Sequence, residues 1–313
     1  MTVRVLVTGG AGFLGSRVVT RLAATEEVEE VVSVDVRPGP QGPRIRSELL
    51  DVRDPALADL VREWRIDRIV HLAAVVTPRP DQTREELRSI DVGGTANVVA
   101  AALAAGVGHL TVTSSGAAYG YHDDNPEWID EDDPLRGNPE FAYADHKRQV
   151  EELLAKTRAE HPELTQLVLR PGTILGAGLR NQITALFEAP VIVGIVGSDS
   201  PFVFIWETDA VEVIVRGTLQ RRGGVFNLAG DGAVPLRRIA DEMGTRFVAL
   251  PAPVVKAALA VGRRLGISPY GPEQVVFLRH RPVLSNRRLV EEFGYRPKMT
   301  SLQAFRAWRD SRA

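Results

Sequence analysis

The chain has 313 residues, of which 44% are hydrophobic and 25% charged, with a formal net charge of −2; this is the make-up of a globular protein of one or two domains with a sizeable core. That balance gives no reason to expect nucleic acid or an anionic membrane as a partner. The absence of cysteine excludes disulfides, thiolate metal sites and cysteine nucleophiles. With an N-terminus (MTVRVLVTGG) that lacks a signal-peptide pattern and no apolar run near the length of a membrane span, a soluble cytoplasmic protein is expected.

In chain order, short β-branched runs predict strands at 3–7, 31–36, 67–73, 109–115 and 166–170. Helical patterns lie between them at about 12–24, 55–63, 84–105 and 143–160. Strands this apolar need both faces covered, and the alternation predicts an α/β fold with a parallel, doubly wound sheet. In the second half, strands at 202–206 and 225–229 are expected to return to the sheet, and VIVGIVG at 191–197 is a strand-sized run. Helices are expected at 235–244, 251–265, 285–293 and 301–311, with glycines and prolines at 171–178, 190–201 and 230–235 marking the crossings. The expected organisation is a parallel-sheet domain over 1–172, joined by 202–229, which the glycine turn TGGAGFLG (8–15) after its first strand makes a dinucleotide-binding Rossmann domain. A smaller, mainly helical substrate lobe then comprises 173–201 and 230–313.

TGGAGFLG (8–15) follows the first strand and opens the first helix. Gly9 permits a tight turn, Gly12 lets a pyrophosphate approach the backbone, and Gly15 allows helix to pack on strand. The N–H groups of Phe13 and Leu14 then sit at the positive end of the helix. Asp35 ends the second strand 20 residues past Gly15, where a carboxylate accepts from ribose hydroxyls and repels a 2′-phosphate. NAD is therefore favoured over NADP, with Arg37 softening the preference.

Tyr143 and Lys147, in FAYADHKRQVEELLA, stand four residues apart on one helix face. An ammonium beside a phenol favours the phenolate, and a tyrosine so placed can exchange a proton with a substrate hydroxyl or carbonyl. The chain has only four lysines (Lys147, Lys156, Lys256, Lys298) and five tyrosines, so chance supplies few such pairs. His71, His122 and His146 show no metal-ligand spacing with carboxylates, and no metal is expected.

The G-x-x-G-x-x-G turn, the Tyr-x-x-x-Lys pair and TSSGAAYG (113–120) together resemble an extended short-chain dehydrogenase/reductase of the NAD-dependent epimerase/dehydratase type. The resemblance runs from residue 3 to about residue 230, with an echo in EEFGYRPKMTSLQAF near the C-terminus. It implies that Ser115 hydrogen-bonds the reacting oxygen, with Gly116 beside it at the substrate. It also implies that Asp51 and Val52 meet the adenine and that Leu72, Ala73 and Ala74 of HLAA lie along the cofactor's ribose. Pro171 and Thr173 of RPGTILG would cross beneath the nicotinamide. Tyr143 would be the acid/base, and Lys147 would tune it and hold the nicotinamide ribose.

Three positions depart from the nucleotide-sugar members of that family. Thr173 replaces an asparagine that helps hold the sugar diphosphate, Phe202 replaces an arginine that grips a phosphate, and Asp91 replaces the asparagine of N-x-x-G-T. Losing charge-assisted bonds to phosphate lowers affinity for such a ligand; Arg180, Arg279 and Arg281 are cations that could compensate. Phe202, Phe204 and Trp206 suggest a less polar pocket. HDDNPEWIDEDD (122–133) places seven carboxylates on a loop expected near the pocket mouth; the plain reading is a solvated acidic loop with a turn, and only if it faces the pocket would it disfavour polyanions. The leading expectation is accordingly an NAD(H)-dependent oxidoreductase acting on a secondary alcohol or ketone of modest polarity, as in hydroxysteroid dehydrogenase relatives. The alternative is a nucleotide-sugar 4-epimerase or dehydratase that retains its NAD, and a third reading is an NAD-sensing regulatory protein. A homodimer is expected, formed by helices 84–105 and 143–160 through the small faces of Ala96, Ala100 and Ala104.

Overall fold

The computed structural model describes residues 2–79, 81–266 and 271–312. The first half alternates as β1 (Val3–Thr8), α1 (Phe13–Ala23), β2 (Val28–Asp35), β3 (Ile45–Leu49), α2 (Ala56–Glu63) and β4 (Arg68–His71). Next, α3 (Arg84–Arg88) passes through a π-helical turn at Ser89–Gly93 into α4 (Gly94–Ala105). β5 (His109–Thr113), α5 (Ala142–Glu160) and β6 (Thr165–Pro171) complete this half. Seven strands form one sheet in the order β10-β6-β5-β4-β1-β2-β3, with β10 at Gly224–Leu228, and every pairing in it is parallel.

The central strands read as apolar runs because both faces are covered. Val5, Leu6, Val7, Val32, Ile69, Leu110 and Leu167 are all fully buried. α1 and α7 (Glu207–Leu219) cover one face, and α2, α4 and α5 cover the other. Sequence order reverses between β1 and β4, so a crevice opens beyond the C-terminal ends of those two strands, the usual ligand position in such sheets.

The second half departs from expectation in adding short strands at Thr173–Leu175 and Arg246–Leu250 and in the place of one expected strand. Residues 202–206 do not return to the large sheet: β9 (Phe204–Trp206) pairs in parallel with β7 (Thr173–Leu175) in a separate two-stranded sheet. The cause is aromatic packing. Phe202 and Phe204 stack with centroids 5.5 Å apart and meet Phe187 edge-on, in a core completed by Phe305 and Trp308. The chain regains the main sheet through α7. A second small sheet pairs β8 (Val191–Ile195) with β11 (Arg246–Leu250). α8 (Leu236–Met243) and α10 (Gln274–Arg279) pack on it, with α6 (Gln182–Phe187) against α8 and α9 (Ala252–Arg264) against α10, whereas α11 (Arg287–Glu291) packs on β10 of the main sheet and α12 (Ser301–Asp310) on β7 and β9. Among the described residues, no helix is long and apolar enough to cross a membrane.

Candidate active site

The glycine turn lies at the switch point. Gly9 has φ +70, and a Cβ there would come within 2.7 Å of Ala73 N, so glycine is required both by the backbone and by the close approach of β4's end. Asp35 stitches the turn: Ala11 N donates to Oδ2 at 3.0 Å and Arg37 N donates to Oδ1 at 3.1 Å. Gly12 precedes α1 without a side-chain cap, leaving first-turn N–H groups at Phe13 and Leu14 to meet an anion. Asp51 is clasped by Arg53 at 2.6 Å, whose guanidinium holds its carboxyl below the usual range. Val52 is buried beneath Gly94, and its carbonyl accepts from Asn97 Nδ2 at 2.8 Å. These features form a cradle that fits a dinucleotide.

At β4's end, His71 bridges Thr8 Oγ1 (2.7 Å) and Thr95 Oγ1 (3.0 Å). Thr95 donates to the Asp91 carbonyl at 2.6 Å, so it accepts from His71 Nε2–H, and Thr8 donates to Nδ1. Burial, with the nearby Lys147 ammonium, pushes the His71 pKa down to about 3. His71 is thus a neutral strut tying the glycine turn to α4. Asp91, in the π turn, accepts from Val75 N at 3.0 Å and lies 3.6 Å from His146 Nδ1.

Ser115 caps a short 3₁₀ turn, Gly116–Tyr119, and accepts from Ala117 N at 3.1 Å. A Cβ on Gly116 would lie 2.8 Å from Leu284 Cδ1, which brings the C-terminal segment against this turn. Lys147 is buried; its Nζ donates to Thr113 O at 3.3 Å and lies 5.7 Å from the centre of the Tyr143 ring.

These groups open onto one cavity of about 920 Å³. Gly9, Gly12, Phe13, Leu14, Arg37, Leu72 and Ala74 line it on the turn side, and Ser115, Gly116, Tyr143, Lys147, Pro171, Thr173 and Phe202 line it further on. Asp35, Asp51, Val52 and Ala73 are not among the residues that line it. Of the three aromatics suggested for the pocket, only Phe202 lines it; Phe204 and Trp206 belong to the aromatic core.

The acidic loop does not line the cavity. Asp130 and Asp132 pair with Arg287 and Arg288, and Asp124 pairs with Arg136. Ile129 bridges to Leu284. Glu131 is buried with Oε1 accepting from Asn227 N at 2.6 Å, while Oε2 has no partner, and burial raises its pKa to about 7. The plain reading of this loop therefore holds: it lies off the cavity, with Asp124, Asp130 and Asp132 paired to arginines, and gives no ground for repelling polyanions there.

Arg281 was only one of three candidate cations in the sequence, yet it is the one with a built setting. It is 8% exposed and lines the cavity. Its guanidinium lies 3.7 Å over the Phe202 ring and 5.0 Å from that of Phe277. Nε donates to Ser200 O at 3.0 Å and Nη2 donates to the same oxygen, while Nη1 is without a partner. No carboxylate pairs with it among the described residues, and burial pushes its pKa down to about 9. A cation therefore stands directly on the side chain that replaced the family arginine at 202. Arg180 also lines the cavity; Arg279 does not.

A parallel sheet with a glycine cradle at its switch point, and a Tyr/Lys pair beside Ser115 on the same cavity, define a dinucleotide-dependent enzyme. The family model described as "NAD dependent epimerase/dehydratase family" matches residues 5–197. The chain belongs to that family and is an NAD-dependent enzyme of it. An uncharacterised protein of Mycobacterium bovis is 26% identical over 307 residues, covering 96% of this chain and 82% of the relative. The 3 beta-hydroxysteroid dehydrogenase/Delta 5→4-isomerase of vaccinia virus is 31% identical over 193 residues, covering 58% of this chain and 54% of the viral protein. Among solved structures, MoeE5 in complex with UDP-glucose and NAD superposes with a TM-score of 0.77 at 24% identity, covering 99% of this chain and 98% of the other; this likeness concerns the fold.

Proposed function

We propose that this chain performs NAD-dependent hydride chemistry at a ring hydroxyl of a phosphate-linked sugar, as a nucleotide-sugar epimerase or dehydratase. The observation that carries the reading is Arg281, a buried guanidinium on the cavity wall without a counter-ion among the described residues. A buried charge is tolerated when paired, and a phosphate supplies the partner. This reverses the order expected from sequence, where the loss of arginine at 202 favoured a less polar substrate.

The cradle of Gly9, Gly12, Phe13 and Leu14 would hold the pyrophosphate, with Asp35 on the adenosine ribose. We assign that role to residues 1–172 and 207–228, and substrate recognition to the remainder. NAD, when bound, would supply the hydride acceptor for the carbinol carbon and, reduced, the hydride donor for a carbonyl. Ser115 would orient the reacting oxygen, and Tyr143 would take its proton and later give one back. Lys147, buried beside the ring, would hold the nicotinamide ribose. The enzyme would act as a cytoplasmic homodimer, with the half-exposed Ala96 and exposed Ala100 and Ala104 on α4 permitting close helix packing.

A second reading, a secondary alcohol or ketone of modest polarity, is favoured by the similarity to the viral steroid dehydrogenase and by Phe202 on the wall. Thermal shift of the NAD-loaded protein against UDP-sugars, dTDP-sugars and apolar ketols separates the two. Stabilisation by nucleotide sugars is expected; stabilisation by apolar ketols alone would overturn the proposal.

A further inference from the structure

The part of the cavity around Tyr143 is walled by aromatic rings. Tyr121 meets Phe141 and Phe277 edge-on at 5.2 and 5.4 Å, and Phe141 stacks on Phe277 at 6.3 Å. Tyr121, Phe141 and Phe277 form one apolar cluster with Ala117 and Tyr143, and all of them line the cavity. Phe202 continues the wall 6.3 Å from Phe277. Within that cluster, the Tyr121 hydroxyl is the one side-chain hydrogen-bonding group besides Tyr143 itself. Burial raises the Tyr121 pKa, so it stays a neutral phenol.

Three amides line the wall outside that cluster, Asn181, Gln182 and Gln274, and the first two each have one end engaged. Asn181 accepts from Ile183 N and Thr184 N as the cap of α6, and Gln182 donates to Val76 O at 3.0 Å. A sugar ring beside Tyr143 thus finds Ser115 and Tyr143 for its reacting oxygen and, on the side turned to the ring cluster, Tyr121 for one more hydroxyl and otherwise carbon. A hydroxyl buried without a partner is penalised, and apolar pockets discriminate against an added hydroxyl by about 10²-fold in favourable cases.

We propose that the substrate's reacting ring is a deoxygenated sugar, selected by the wall of Ala117, Tyr121, Phe141 and Phe277. This rests on the phosphate-linked reading above. Arg281 takes the anion, and the ring cluster takes a sugar face lacking hydroxyls, which reconciles a buried cation with an apolar wall in one cavity.

The test is calorimetric titration of the NAD-loaded protein with dTDP-glucose, dTDP-6-deoxyglucose and dTDP-2,6-dideoxyglucose. Removing hydroxyls should tighten Kd by roughly 10-fold or more in at least one of the two steps. Phe141→Gln should narrow that ratio by giving the extra hydroxyl a partner. Ala117→Ser, a small change beside Ser115, supplies the same readout if the ring cluster does not tolerate glutamine. Equal or tighter binding of dTDP-glucose, or a ratio untouched by both variants, would overturn the inference while leaving the Arg281 reading intact. Failure of every dTDP- and UDP-sugar to bind would instead remove the phosphate-linked reading, and this inference with it.

Discussion

Replacing Arg281 by glutamine separates stability from binding. In the free protein, the guanidinium is held by Ser200 O and by the rings of Phe202 and Phe277, contacts worth together about 2–3 kcal/mol. Against this stands the several-kcal/mol penalty of burying an unpaired charge. Arg281→Gln removes both, so its stability should fall within about 2 kcal/mol of the parent, in either direction. Binding behaves differently. A buried charge-assisted pair with phosphate is worth about 3 kcal/mol on truncation of one partner, or roughly 150-fold in Kd. Titration of a UDP- or dTDP-sugar into the NAD-loaded variant, beside thermal melts without ligand, reads both quantities. An unchanged Kd in a folded variant would refute the assignment of the phosphate to Arg281.

Other expectations follow from groups around the same cavity. Tyr143→Phe should abolish turnover and leave NAD affinity nearly unchanged, checked by fluorescence titration beside the activity assay. Asp35→Ala should lower the NAD-over-NADP binding ratio by about 10-fold or more, because the carboxylate that repels a 2′-phosphate is gone and Arg37 Nε, 3.8 Å from Asp35 Oδ1, is released to meet it. Glu131 has its pKa raised from 4.5 to about 7 by burial. The folded state therefore holds its proton more tightly than the unfolded chain, and its contribution to stability is lost as pH rises through that window. Glu131→Gln keeps an acceptor for Asn227 N, so its melting temperature should fall less than the parent's as pH rises toward 7.

Much of the fold and site was legible because it is local. The glycine turn, Asp35 and the Tyr143/Lys147 spacing each occupy a few consecutive residues whose backbone geometry dictates their type. β1, β2, β4, β5 and β6 are apolar runs that a two-faced sheet requires. What was missed depends on long-range packing. β3 (IRSEL) is a partly exposed edge strand with no hydrophobic run to mark it. β9 was expected in the main sheet because it is aromatic and β-branched, and only its neighbours Phe187, Phe305 and Trp308 show that those rings belong to another core. α6 and α10, at six residues each, are too short to display a period. Arg281 was visible only as one cation of three, because its value lies in standing over Phe202, a contact between residues 79 apart in the chain. Whether the acidic loop faced the cavity was open for the same reason: its partners Arg287 and Arg288 lie more than 150 residues away.

The central claim is that a phosphate anchored at Arg281 presents a sugar hydroxyl to Tyr143 for hydride exchange with NAD. Its most direct measurement is proton NMR of nucleotide sugars incubated with the NAD-loaded protein, followed at the same time by absorbance of NADH. The account predicts conversion of a nucleotide sugar to its epimer or keto-deoxy product without net accumulation of NADH. Stoichiometric NADH formed only from an apolar secondary alcohol, with every nucleotide sugar unchanged, would contradict it.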